Sequence, residues 1–194
     1  CLIAAPSANT SGRPSPTEAA HVAEDLSGKI AMIIDGGPVG IGIESTIIDL
    51  TEDTPMVLRP GYITPQMLSK VLGKEVIIDP GIIAADDTRK PKAPGMKYKH
   101  YAPKADMAIV DGTRKHVIAK INELVASHRD DGKKIAVIAT EETKQFYDAD
   151  VVLSMGSRAD EDSIAHELYR ILRDCDELDV DVIFSESFST PRIG

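Results

Sequence analysis

The sequence predicts an α/β protein built as two compact units joined by a basic connector, and three observations predict it. Beyond residue 105, short apolar runs alternate with amphipathic helical stretches, the pattern of a parallel sheet covered on both faces. Before residue 88, a well-signed helix precedes short strands separated by turn residues. Between the two, the charge inverts: 1–88 carries five Lys/Arg against twelve Asp/Glu and 106–194 eleven against nineteen, whereas 89–105 carries six basic residues and no acid. The expected division is therefore 1–88, a connector 89–105, and 106–194. With 194 residues and 42% hydrophobic content the chain can build two cores, and 4% aromatics with no Trp make those cores aliphatic.

The chain opens on an apolar run at residues 2–5, which reads as a strand entered part-way. It runs into a polar loop, Pro6, Ser7, Ala8, Asn9, Thr10, Ser11, Gly12. Small side chains there let a ligand approach the backbone, and Ser7 and Asn9 offer short hydrogen-bonding groups suited to phosphate or ribose oxygens. Plain turn chemistry explains the same composition. A helix follows, with Ser15 as N-cap, Pro16 at the first helical position and Glu18 completing a capping box. Ala19, Val22, Ala23 and Leu26 form its expected buried face, and Gly28 ends it.

Strands are expected at 30–35, 45–50 and 56–59, with the glycine-rich turn GGPVGIG between the first two matching neither a phosphate-loop nor a dinucleotide spacing. Ser45 and Thr46 are hydroxyls at a strand start. Arg59 sits at a strand end before Pro60-Gly61, where it serves either as a surface ion pair or as a fork aimed at a phosphate. Thr64-Pro65 starts a second helix with Met67, Leu68, Val71 and Leu72 on one face and Gly73 at its end. A short strand at 76–78 follows, and order weakens from Pro80.

The connector KAPGMKYKHYAPKA (92–105) reads either as a solvated hinge or as a strap over an anionic ligand. In the second reading Lys97, Lys99 and His100 are donors, Tyr98 and Tyr101 flat walls, and Pro94, Gly95 and Pro103 fix the path. Past it, strands are expected at 107–110, 135–139, 151–153 and 180–184, helices at 114–129 and 163–178, and a shorter helix at 143–147. Val117, Ile121, Leu124, Val125 and Ile164, Leu168, Ile171, Leu172 form the helical stripes. This is a small Rossmann-like parallel-sheet unit without the glycine fingerprint, and nothing in it marks a second active site.

Net charge −9 disfavours holding a nucleic acid through its phosphates. Cys1 and Cys175 have no metal or redox spacing, and His21, His116, His128 and His166 have no second ligand at metal spacing, so no metal site is expected. No run of 18 apolar residues exists, no signal-peptide pattern precedes the loop, and a cytoplasmic protein is expected. No nucleophile–base pair or carboxylate dyad stands out.

PGMKYKHYAP (94–103) resembles the interdomain linker of the Sua5 family, the two-domain threonylcarbamoyl-AMP synthases that share a YrdC-type catalytic domain. APSANTSGRPSPT (5–17), GIESTIIDL (42–50) and LRPGYIT (58–64) resemble the second half of that domain, in the family's order. The resemblance implies a partial YrdC-type α/β domain followed by the Sua5 C-terminal domain, with the first half of the catalytic domain, including a Lys/Arg pair, preceding Cys1. It implies a nucleotidyltransferase that forms L-threonylcarbamoyl-AMP from L-threonine, bicarbonate and ATP with release of pyrophosphate, for t6A modification of tRNA. Ser7, Asn9, Ser15, Arg59, Tyr98 and His100 are its implied ATP contacts, and Ala5 and Ser45 its threonine contacts. Mg²⁺ is expected with the ATP. The product passes to threonylcarbamoyl-transfer machinery, so direct stable tRNA binding is not expected. A non-catalytic module, or a carbamoyl-adenylate enzyme with another acceptor, are the alternative readings.

Overall fold

The computed structural model describes residue 2, residues 6–83 and residues 102–188. Residues 3–5 of the expected first strand and residues 89–101 of the connector lie outside the described residues. Those described form two compact units: the segment up to Gly42 together with 102–188, and the segment from Ile43 to 83.

In the first unit, β4 (Asp106–Val110), β5 (Ile135–Ala139), β6 (Val151–Ser154) and β7 (Val182–Glu186) form an all-parallel sheet in the order β4-β7-β5-β6. The helices α4 (Arg114–Asp130) and α5 (Glu161–Glu177) carry the two longer crossovers, and a 3₁₀ turn at Lys144–Phe146 joins β5 to β6. Successive strand residues point to opposite faces. Ile135, Val137 and Ala139 pack with Val117, Ile121 and Val125 of α4, while Ala136 and Ile138 pack with Ile164, Ile171 and Leu172 of α5. The two expected helical stripes are thus the two faces of one core, with Leu124 and Leu168 at their margins. Every residue of β5 is buried. The edge strand β4 is not: Ile109 is 66% exposed, since an edge position leaves part of a strand uncovered.

Strand β7 starts two residues later than expected because Ile135 pairs with Val182 and both Asp181 N and Val182 N donate to Lys134 O. Residues 30–35 form no strand. A strand needs a neighbour for its backbone groups, and no ladder reaches this segment among the described residues; Met32 and Ile34 are left 74% and 87% exposed.

Helix α1 (Ala19–Leu26) also belongs to this unit, and it differs from the expectation at both face and cap. Its buried residues are His21 and Asp25, with the expected Ala19, Val22, Ala23 and Leu26 only half-buried. Glu18, not Ser15, stands at the N-cap and makes no side-chain cap bond; Thr17 instead donates its N–H to His21 Nδ1 at 3.2 Å. A charged helix face turned inward needs buried partners, and these come from α5.

The second unit is a three-stranded sheet, β1 (Ile47–Asp49), β2 (Met56–Arg59) and β3 (Ile77–Ile78), with β1 antiparallel and β3 parallel to β2. Helix α2 (Pro65–Leu72) starts as expected. Thr64 Oγ1 accepts the Met67 N–H at 3.3 Å, Pro65 occupies the first turn, and Gly73 ends it at φ +64°, a left-handed conformation that glycine adopts without a Cβ clash. A further helical turn, α3 (Pro80–Ile83), extends order slightly past Pro80.

Candidate functional site

In the second unit the turn Pro60-Gly61 folds β2 back beside the start of β1. Gly61 is required there: a Cβ would collide with Glu44 O, Thr46 N and Ser45 C. This close approach lays the Arg59 side chain across Ser45. Arg59 Nε donates to Ser45 O at 3.0 Å, Arg59 Nη2 donates to Ser45 Oγ at 2.9 Å, and Glu44 lies 3.3 Å from the same Nη2. Two residues singled out separately, one for phosphate and one for threonine, are thereby neighbours. The guanidinium is held in a fixed plane by these contacts, and the serine hydroxyl beside it is a short, fixed polar group.

In the first unit the loop 6–17 carries Ser7, Asn9 and Ser15. Ser7 is exposed, and Asn9 and Ser15 are half-buried. Asn9 Nδ2 donates to Thr10 O at 2.9 Å and Arg13 O at 3.1 Å, which closes the loop on itself. Its Oδ1 is buried and has no hydrogen-bond partner among the described residues. Ala5, Tyr98 and His100 lie outside the described residues.

The loop is pinned by charges that no sequence motif marked. Asp25, with a fully buried side chain, accepts from Thr10 N at 3.1 Å, Arg13 Nη1 at 2.5 Å and Arg173 Nη2 at 2.9 Å. Arg173, on α5 and 0% exposed, also donates from Nε and Nη2 to Pro14 O at 3.0 and 2.6 Å. Arg13 reaches Glu24 at 2.8 Å and Asp176 at 3.6 Å, and Asp176 accepts the Lys104 N–H at 2.7 Å. Burial alone would raise the Asp25 carboxyl, but the hydrogen bonds from Arg173 and Thr10 outweigh it and hold the group below its ordinary value. Burial, then the Arg173 charge, pushes the His21 imidazole down.

A second polar cluster lies at the carboxyl ends of β4 and β7. Glu186, 1% exposed, accepts from Tyr147 Oη at 2.6 Å and Arg158 Nη2 at 2.5 Å, beside a cavity of about 190 Å³ lined by Asp111, Arg114, Arg158 and Glu186. Burial, then the Glu186 hydrogen bond, drives the Tyr147 hydroxyl up. No sequence motif marked this cluster, since its members come from four separate segments.

None of the described His, Cys, Asp or Glu residues form a group of three able to hold a metal ion. No helix among the described residues is long and apolar enough to cross a membrane.

Residues 63–194 match the family model described as threonylcarbamoyl-AMP synthase, C-terminal domain. The chain belongs to the Sua5 family. Residues 1–61 match a second family model, described as telomere recombination, that covers Sua5, YciO and YrdC sequences. The chain is 47% identical over 192 residues to the threonylcarbamoyl-AMP synthase of Bacillus subtilis (strain 168), covering 99% of this chain and 54% of that protein. With the Pyrococcus abyssi enzyme it shares 49% identity over 193 residues, again 99% of this chain and 54% of the relative. The Schizosaccharomyces pombe enzyme is 35% identical over 202 residues, covering 99% and 49%. In structure it resembles P. abyssi Sua5 complexed with L-threonine, with TM-score 0.85 and 46% identity over 97% of this chain and 53% of that one. This Sua5-family chain therefore spans about half the length of the curated relatives it matches.

Proposed function

We propose that the protein to which this chain belongs forms L-threonylcarbamoyl-AMP from L-threonine, bicarbonate and ATP, releasing pyrophosphate, as a step in t6A modification of tRNA. One observation carries the reading: Arg59 and Ser45, the residues the family resemblance gives to ATP and to threonine, are hydrogen-bonded neighbours at 2.9 Å. A solved relative named for its complex with L-threonine, similar along 97% of this chain, supports it. In the same proposal 1–88 belongs to the catalytic domain, 89–105 is the connector and 106–194 the C-terminal module.

The threonine amine takes up CO₂ from bicarbonate to give a carbamate. A carbamate oxygen then attacks the α-phosphorus, the new C–O–P bond forms as the Pα–O–Pβ bond breaks, and pyrophosphate leaves with the electron pair. No side-chain nucleophile is required, so catalysis rests on positioning and charge stabilisation. Arg59 faces the phosphates, Ser45 the threonine, and Ser7, Asn9 and Ser15 hold the nucleotide, the buried Asn9 Oδ1 accepting from a ligand donor. Ala5 lines the threonine pocket, and Tyr98 and His100 contact ATP from the connector. Mg²⁺ arrives with the triphosphate, and no step is routed through a protein-bound ion. The product goes to a separate transferase, and the acidic chain does not itself hold tRNA; its working compartment is the cytoplasm.

The test is pyrophosphate release by the full-length protein with ATP, bicarbonate and L-threonine. Arg59→Ala is expected to lower kcat/KM at least a hundredfold. Release that is indifferent to threonine, or faster with another amine or carbamoyl phosphate, overturns the reading.

A further inference from the structure

We infer that Arg173 is a positioning residue for the nucleotide, reaching from α5 of the C-terminal module to set the loop that carries Asn9. This rests on the proposed function. The buried Arg173 guanidinium grips Pro14 O with two nitrogens and Asp25 with Nη2. Asp25 in turn holds Thr10 N and Arg13, so the turn 10–14 is tied at one end to Asp25 and at the other to Arg173, which are themselves paired. Asn9 Nδ2 is bonded to Thr10 O and Arg13 O, within that turn. Its amide orientation, and with it the direction of the buried Oδ1, which has no partner among the described residues, therefore follows from a turn whose shape Arg173 and Asp25 impose.

Chemistry favours arginine at this place. A planar fork can bind a carbonyl and a carboxylate at once, and a lysine cannot make that pattern. A plain packing role does not ask for it, since α5 already buries Ile164, Ile171 and Leu172 against the sheet. The other charges facing the pair are Arg13, Glu24 and Asp176. Asp176 also accepts from Lys104 N, so the last basic residue of the connector is anchored to the same cluster.

The test uses the full-length protein and steady-state pyrophosphate release. Arg173→Met is expected to raise KM for ATP about tenfold or more, with KM for threonine within about twofold of the unsubstituted protein. Amide hydrogen exchange at residues 10–14 is expected to quicken in the same variant. An unchanged ATP KM with unchanged exchange overturns the inference, as does an equal change in both KM values, which marks a structural role alone. If Arg173→Met does not fold, Arg173→Lys carries the test: it retains a charge for Asp25 but not the fork, and an ATP KM equal to that of the unsubstituted protein sinks the idea. Arg129→Ala, which removes an exposed pair with Asp148, serves as the unaffected control. Failure of the functional reading is separable, because it shows in the unsubstituted protein as no threonine-dependent pyrophosphate.

Discussion

Asp25 illustrates how a single carboxylate can be worth more than its surroundings suggest. Its side chain is wholly buried between Arg13 and Arg173, and removing one partner of such a group leaves the others desolvated and unpaired, which costs about 3–5 kcal/mol. Asp25→Asn is expected to destabilise the first unit by an amount of that order, measured by chemical denaturation. The pH dependence has a definite sign. The folded pKa lies below the ordinary value for an aspartate, so the ionised group contributes its full stability above that ordinary value and loses it as pH falls through the folded pKa. The gap between the unsubstituted protein and Asp25→Asn is therefore expected to narrow below about pH 4, where the unsubstituted protein alone loses this contribution. Cys175 gives a second check at this scale. Burial, then the nearby Asp174 and Asp176 charges, pushes its thiol up to about 12, so it is expected to resist a thiol reagent at pH 8 until the chain unfolds.

Among the elements, the β2 turn is the most exposed to a small change. A Cβ at Gly61 meets backbone atoms of Glu44, Ser45 and Thr46, none of which can rotate away. Gly61→Ala is expected to cost about 1–3 kcal/mol in the second unit and to disturb the Arg59–Ser45 pair, read as a loss of threonine-dependent activity larger than the loss of stability predicts. Helix α2 gives a milder case. Its cap is one side-chain bond, Thr64 Oγ1 to Met67 N, and Thr64→Ala is expected to cost about 1 kcal/mol by thermal unfolding. The cap was legible because Thr-Pro before an apolar stripe and Gly after it are local signals. The reading of α1 failed for the opposite reason: Ser-Pro-Thr-Glu carries the same signals, yet His21 and Asp25 turn inward to meet Arg173, and a partner about 150 residues away leaves no trace in an eight-residue window.

At the scale of the whole molecule, the two units differ sharply in how much apolar surface they bury. Of the buried hydrophobic residues among those described, only Val57, Leu58 and Val76 belong to the second unit; the first holds Ile135, Ile138 and Ile183 of its sheet and Ile171 of α5 at 0% exposure. Local opening is governed by such burial. Amides of β1 to β3 are expected to exchange faster than those of β5 and β7 in this chain, and comparable protection in both sets would contradict that. Periodicity sufficed for the sheet-and-helix alternation past residue 105, because a strand buried on both faces and a helix with one apolar stripe have to show it in their own residues. The linker and loop motifs pointed to the family for a different reason, being contiguous runs of unusual order. Strand order β4-β7-β5-β6, the packing of α1 on α5, the juxtaposition of Arg59 with Ser45 and the cluster around Glu186 were decided only in three dimensions. Local pattern records what each segment must hide from water, whereas the choice of partner depends on which distant groups the folded chain brings within a few ångströms, and that choice is written in no single stretch.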